Sequence, residues 1–491
     1  MVAGLVGCSG GSEAPVSTPV PGDGSPAGSD VPTTPISTTL STGTTESSTS
    51  TQEPSGDPVA TSLAYELHDE VGSLVYVSWD QAVPGTAVVQ WSVDAGVWNE
   101  APAVEGAEGA HEQLIVGIPF AQTAAWRVQI DGRVVDGPPI ETAPLPDGLP
   151  VATVSLSEPD RWEPDANYLL TSVNAQTGGW VGGTYYTVLL DRAGRVVWAL
   201  RTPRDDWTLY PMVSAGGDHL LIDRATAWSL FDHGLDSVVE RRWLDAPGEV
   251  IPTPGLHHAF WEHADGTLAW GSIAAGDSGE VLVELAPGAD EPVVLWDCFA
   301  DFPGVLESSP FPRCESNSLW YDADRDTYLY SFYTNSSMVE LSRSSGETLW
   351  WAGAQPGGYA FDPPESQFDW QHGISWTDTG TLLVSSRARH PQLTTKLIEY
   401  EVDEQAGVLT EVWSYDAGIH ASTNGDARRL PSGNTLHAVG SAGQVHEVDA
   451  DGQPVWVLDY QTTRLVGRAE FVTDPYALLA PPEPNSTETT P

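Results

Sequence analysis

Short apolar runs alternate with turn-forming residues along most of this chain, and no apolar stretch is long enough for a helix that crosses a membrane. From 58 to 147 the runs "LVYVSW", "TAVVQWSV", "EQLIVGI" and "AAWRVQI" set apolar residues at alternate positions. That period places one face of each strand in a core, and the Gly, Pro, Asp and Ser residues between runs supply the turns. The pattern predicts a small β-sandwich.

From about 150 to 476 a single hairpin recurs: a strand, a turn of Asp, Gly or Ser, then a strand ending in tryptophan. The copies are "YTVLLDRAGRVVW", "SLFDHGLDSVVERRW", "VLVELAPGADEPVVLW", "MVELSRSSGETLW", "LIEYEVDEQAGVLTEVW" and "VHEVDADGQPVW". Their closing residues are Trp198, Trp243, Trp296, Trp350, Trp413 and Trp456, mostly 43 to 55 apart, the length of a four-stranded propeller blade. The expected fold is all-β, a six-bladed β-propeller preceded by the sandwich. Trp79 and Trp91, with the later "AAWRVQI", make that sandwich resemble a fibronectin type III module, read here as a spacer.

A second signature repeats in three blades. His258 and His372 each lie eight residues before a "GTL", at Gly266 and Gly380, and Gly425 takes the histidine's place eight before Gly433. The offset puts each histidine before a turn that leads into a core strand. Equivalent blade positions converge on the central channel, so His258 and His372 should face a common axis, as nucleophile or general acid and base, or as turn caps.

Charge narrows the partners. The 491 residues carry 68 acidic against 20 basic side chains, a formal charge of −48, with Lys396 the only lysine and Arg127 the first basic residue. Such a field repels nucleic acid and anionic lipid headgroups, so an anion site must be local. Arg387 and Arg389 in "SSRARH" suit one, because a guanidinium grips sulfate, phosphate or carboxylate with two bonds; a surface ion pair is the alternative. No metal is expected, since no third ligand shares the histidines' repeat position. "DADRD" and "DADG" read as turns, for no bidentate glutamate follows at calcium-loop spacing.

Residues 9–57 are almost all Ser, Thr, Pro, Gly and acids, a disordered tether, and 477–491 form a polar tail. Cys8 in "LVGC" resembles a bacterial lipobox behind a truncated signal at 1–8. That implies an exported lipoprotein on the outer membrane or cell surface, reaching the membrane only through Cys8. "GCSGG" fits the hydrolase pattern G-x-S-x-G but lacks the flanking strand and helix. Cys298 and Cys314 either form a disulfide or stay as free thiols.

One family resembles the chain from about 150 to 476. "LHHAFWEHADGTL", "ESNSLWYDADRDTYLYSFYTNSSMVELSRSSGETLWWAG", "FDWQHGISW", "LIEYEVDEQAGVLTEVWSY", "GDARRLPSGNTL" and "HEVDADGQPVW" together resemble the bacterial arylsulfate sulfotransferases, in the family's order. The resemblance implies an exported six-bladed propeller with an N-terminal β-sandwich. Such a protein moves a sulfuryl group from a phenolic sulfate ester to another phenol through a histidine nucleophile, with no cofactor. By position the nucleophile is similar to His372, and the family's "HH" segment to His257 and His258. Two departures stand out. Glu315 replaces a histidine two residues before Asn317 and Ser318, and Tyr333 lies at or beside the place of an arginine.

Both departures remove cationic character from a site that must hold a charged sulfuryl group. Three readings follow. In the first, His372 attacks sulfur, His258 stabilises or protonates the departing phenolate, Arg387 or Tyr333 steadies the sulfuryl oxygens, and Glu315, Asn317 and His257 contact the substrates. In the second, a surface-tethered propeller binds a glycan, an aromatic ligand or a protein without catalysis. In the third, Glu315 and His372 act as an acid/base pair in hydrolysis or elimination.

Overall fold

Every second residue of Thr123–Ile130 is buried, and the same alternation runs through Val75–Gln81. These strands belong to two sheets, one of Ala60–Leu67, Val75–Gln81 and Gly109–Ile115, the other centred on Gly85–Ser92 and Thr123–Ile130. Their apolar faces close over Trp79, Trp91 and Trp126 as a sandwich. The structure, a computed structural model, describes residues 58–481 except 95, 177–182, 204–205, 227–233, 274–279, 303–313, 388–392, 424 and 462–463. Cys8, the tether, Arg389 and residues 482–491 therefore lie outside the described residues.

Six further sheets follow, each with four antiparallel strands, and two of them carry one additional outer strand. They form the blades of a β-propeller. The innermost strands, in blade order, are Val466–Val472, Met212–Val213, Leu256–Glu262, Ser316–Asp322, Gly373–Trp376 and Asp426–Arg429. Strands inside the blades are covered on both faces by neighbouring blades, so Thr327–Phe332 is buried at all six positions. This is why the propeller reads as unbroken apolar runs where the sandwich alternates.

The ring closes through its two ends. Blade 1 pairs Val466–Val472 with Tyr168–Asn174, and Thr153–Ser157 joins the outer edge of blade 6 beside Pro454–Asp459. The repeated tryptophans tie the blades together. Trp198 donates its indole N–H to the Leu244 carbonyl at 2.8 Å, Trp296 to the Thr348 hydroxyl at 2.9 Å, Trp413 to the Ala450 carbonyl at 3.1 Å, and Trp456 to the Arg192 carbonyl at 2.9 Å. Each acceptor lies in the next blade, at or beside the turn between its two outer strands, and the last bond links blade 6 back to blade 1. Trp350 instead donates to Glu340 of its own blade. Trp456→Phe leaves the Arg192 carbonyl without this donor, so the midpoint of chemical unfolding should fall by the equivalent of about 1–2 kcal/mol.

Two expectations need correction. Trp243 follows Val238–Arg242, the third strand of blade 2, because "LDAPG" turns the chain before the outer strand Pro247–Pro252 forms. Residues 477–481 are not simply polar tail: Leu478 is buried against the propeller core, and its carbonyl accepts from the Leu244 N–H at 2.9 Å. Cys298 and Cys314 form a disulfide with their Cα atoms 6.3 Å apart. No helix among the described residues is long and apolar enough to cross a membrane.

Candidate active site

The repeat that places His258 and His372 is visible in the backbone. Each histidine lies at the start of an innermost strand, and the glycine eight residues on, Gly266 or Gly380, turns the chain into the second strand with φ near +80°. Gly433 does the same in blade 6 with φ +94°. The N-terminal ends of the inner strands therefore gather His257, His258, Asn317 and His372 at one end of the channel, with Glu315 just ahead of its strand.

His372 is held by the residue two positions before it. Its Nδ1–H donates to the Trp370 carbonyl at 3.0 Å, and because a carbonyl only accepts, Nε2 keeps its lone pair. Trp370 reaches this geometry at φ +51°, a backbone region that bulky residues rarely occupy. Bonds from the Trp370 N–H to Ser336 Oγ at 3.3 Å and from Ser336 Oγ to Asp369 at 2.9 Å hold the turn. Gly373 lets the inner strands of blades 5 and 6 approach, since a Cβ there would lie 2.6 Å from Asp426 Cα.

Tyr210 fixes the site across the channel. Its hydroxyl lies 2.6 Å from the Asn317 carbonyl and 3.0 Å from the His372 carbonyl, joining three blades. Asp223, buried on the second strand of blade 2, Leu220–Arg224, accepts the Leu209 and Tyr210 N–H groups at 2.9 Å each, and burial raises its pKa to about 6. Behind Ser316 sits Glu280, fully buried, accepting the Ser316 N–H at 2.6 Å and the hydroxyls of Ser316 and Tyr330. Burial raises Glu280 to about 7, against the pull of those bonds.

Sequence reasoning singled out none of Tyr210, Trp370, Gln371 and Glu280. Trp370 and Gln371 stand inside "FDWQHGISW", but nothing in the sequence marks the backbone turn there.

The seven candidate residues fall into one cluster with different tasks. The rings of His257 and His258 are 3.8 Å apart, and His257 Nδ1 donates to the Ser316 carbonyl at 3.2 Å. His258 meets the edge of Tyr210 at 6.1 Å. Tyr333 stacks on His372 with centroids 5.2 Å apart and an interplanar angle of 30°. The Arg387 guanidinium lies over Trp370 at 4.5 Å, close enough to His372 for its charge to lower the imidazole's pKa. Trp370, 36% exposed, thus carries a cation on one side and lies 6.1 Å from Tyr333.

Two assigned roles change. The Tyr333 hydroxyl donates to Glu315 Oε2 at 3.0 Å, because the carboxylate is the strongest acceptor in reach, so that proton is not aimed at a sulfuryl oxygen. Asn317 is fully buried and its amide donates to the Gln371 carbonyl, which makes it a positioning residue for the segment before His372. Gln371 in turn spends its amide on Ser331, Phe332 and Ser337. No cluster of three or more metal-ligating side chains forms among the described residues.

Burial sets the protonation of both matched histidines. It lowers His372 to about 4, with Arg387 and His257 adding to the effect and the Trp370 carbonyl opposing it. Burial also drives His258 well below the usual histidine value, followed by repulsion from His257 and His372. At neutral pH both rings are uncharged, so His372 keeps a lone pair on Nε2 and His258 carries a single ring N–H. A nucleophile with a lowered pKa loses its lone pair only in stronger acid. Its acid limb in kcat/KM should therefore lie near pH 4 and not near 6.5, which a pH–rate profile would show.

A search of curated proteins finds no match to the chain. Among solved structures it is similar to the periplasmic gluconolactonase of Pseudomonas aeruginosa, at 14% identity and TM-score 0.40, over 79% of this chain and 99% of that one. It is also similar to the β-propeller domain of Cps50 (Swd1) from Myceliophteria thermophila, at 13% identity and TM-score 0.37, over 63% and 90%. A protein of unknown function from Bacteroides caccae matches at 13% identity and TM-score 0.39, over 59% and 93%. Residues 307–461, which carry Glu315, Asn317, Tyr333, His372 and Arg387, match the family model described as arylsulfotransferase (ASST). That segment, about a third of the chain, is therefore similar to the arylsulfotransferase family, and the similarity points to a sulfotransferase-like function in general terms.

Proposed function

We propose that the protein transfers a sulfuryl group from an aryl sulfate to a phenol by double displacement at His372. The observation that carries this reading is the Nδ1–H bond to the Trp370 carbonyl, which leaves Nε2 as a neutral nucleophile beside Arg387. Nε2 attacks sulfur, the S–N bond forms as the S–O bond to the aryl group breaks, and the phenolate leaves. The imidazole ring gains positive charge in this step, and the Trp370 carbonyl then accepts a stronger bond. A second phenol loses its proton to the departed phenolate or to water and attacks the same sulfur; the new S–O bond forms as the S–N bond breaks, which restores neutral His372. Arg387 neutralises the sulfuryl oxygens, His258 donates to the departing oxygen, and Trp370 with Tyr333 forms an aromatic platform for the ring.

One observation favours a second reading. Glu315 places a carboxylate against Tyr333 at the site, which suits an aromatic ligand better than a sulfate ester. Incubation with 4-nitrophenyl sulfate separates the two. Release of nitrophenol that rises with added phenol, with sulfated phenol as product, is expected. Release of free sulfate only, or no release with saturable binding of phenol, would overturn sulfuryl transfer. Under this reading the bridged Cys298–Cys314 pair suits an exported protein.

A further inference from the structure

Blades 1 and 2 enclose a second cationic site that shares no residue with the channel cluster. Their facing sheets leave a cavity of about 350 Å³. Arg224 projects from the second strand of blade 2, Glu240 and Arg242 from the third, and Arg201 from the end of the outer strand of blade 1. Strand pairing explains the grouping. Ile222 lies opposite Glu240 and Leu220 opposite Arg242, so alternate residues of both strands present one face to blade 1.

Charge at this place runs against the rest of the molecule. The chain has 20 basic residues against 68 acidic ones, yet among the described residues that line this cavity three arginines stand with a single carboxylate, Glu240. Arg242 bonds Glu240 at 3.2 Å and takes Glu70 from the sandwich at 3.0 Å. Arg224 stands 3.9 Å from Glu240, beyond hydrogen-bonding distance. Arg201 donates to the Thr184 hydroxyl at 3.3 Å and forms no ion pair among the described residues.

Two guanidinium donors are also unused. The Nε atoms of Arg224 and Arg242 are buried and make no hydrogen bond among the described residues, and Arg242 is only 6% exposed. Burying such donors without an acceptor costs free energy unless something else supplies one. Leu200, Ile222 and Val250 add apolar wall to the same cavity, whose volume is that of a small-ligand site.

We propose that this cavity binds a small organic oxyanion, a phosphate, sulfate or carboxylate carried on an apolar body. The anionic head lies among Arg201, Arg224 and Arg242, and the apolar part rests on Leu200, Ile222 and Val250.

Calorimetric titration of the full chain with phenyl phosphate and with inorganic phosphate tests this, at matched low ionic strength. The background is Arg387→Gln, which weakens any contribution from the channel mouth. Saturable binding is expected, tighter for phenyl phosphate, and at least about tenfold weaker when Arg201→Gln or Arg224→Gln is added. Arg201 is exposed, so its replacement leaves the fold intact, which circular dichroism would verify. Absence of saturable binding, or binding unaffected by both replacements, would overturn the site. Equal affinity for the two probes would overturn the organic part of the assignment.

Discussion

His372→Asn should lower aryl sulfate turnover by roughly 10⁴-fold or more while the protein stays folded. The side chain's polar contact is one bond to the Trp370 carbonyl, so its loss costs the fold little beside the loss of the attacking atom. The backbone N–H bond to Ser385 at 3.0 Å and the carbonyl bond to Tyr210 remain in the variant. A melting curve close to wild type, together with absent nitrophenol release, is the expected pair of results. Turnover within tenfold of wild type would remove His372 from the chemistry.

Arg387→Gln should cost about 10²–10³-fold in kcat/KM, the usual range for one lost donor at a developing charge. Its weight comes from the surroundings. Tyr333 has no fixed charge and spends its proton on Glu315, and both matched histidines are neutral, so among the described residues Arg387 is the cation whose charge reaches His372. Arg387→Lys should recover part of the activity, keeping charge but not the flat stack on Trp370. Equal kcat/KM in the glutamine variant and wild type would mean that the sulfuryl oxygens are held elsewhere.

The propeller was legible because its repeat is written in turn residues and closing tryptophans, both local signals. Trp243 misled because it ends the third strand of blade 2 and not the fourth, a difference set by where "LDAPG" turns. The closure of blade 1 by Val466–Val472 joins residues about 300 apart in the chain, and no local pattern announces such pairing.

At the site, the common offset of His258 and His372 was readable because it reflects equivalent places on inner strands. Directions of side chains were not. Whether Arg387 faced the histidine, and where Tyr333 sent its proton, depended on neighbours from other blades. Asn317 looked like a substrate contact in the sequence and turned out to serve the backbone ahead of His372. The left-handed turn at Trp370, which sets the tautomer of His372, leaves no mark on the residue types around it.

The central claim is a sulfuryl group held on His372, and mass spectrometry of peptides after brief exposure to an aryl sulfate without acceptor tests it most directly. One SO₃ unit on the peptide containing His372, lost when phenol is added and absent in His372→Asn, is the predicted result. Turnover with no modified peptide, or with the group on another residue, would contradict it.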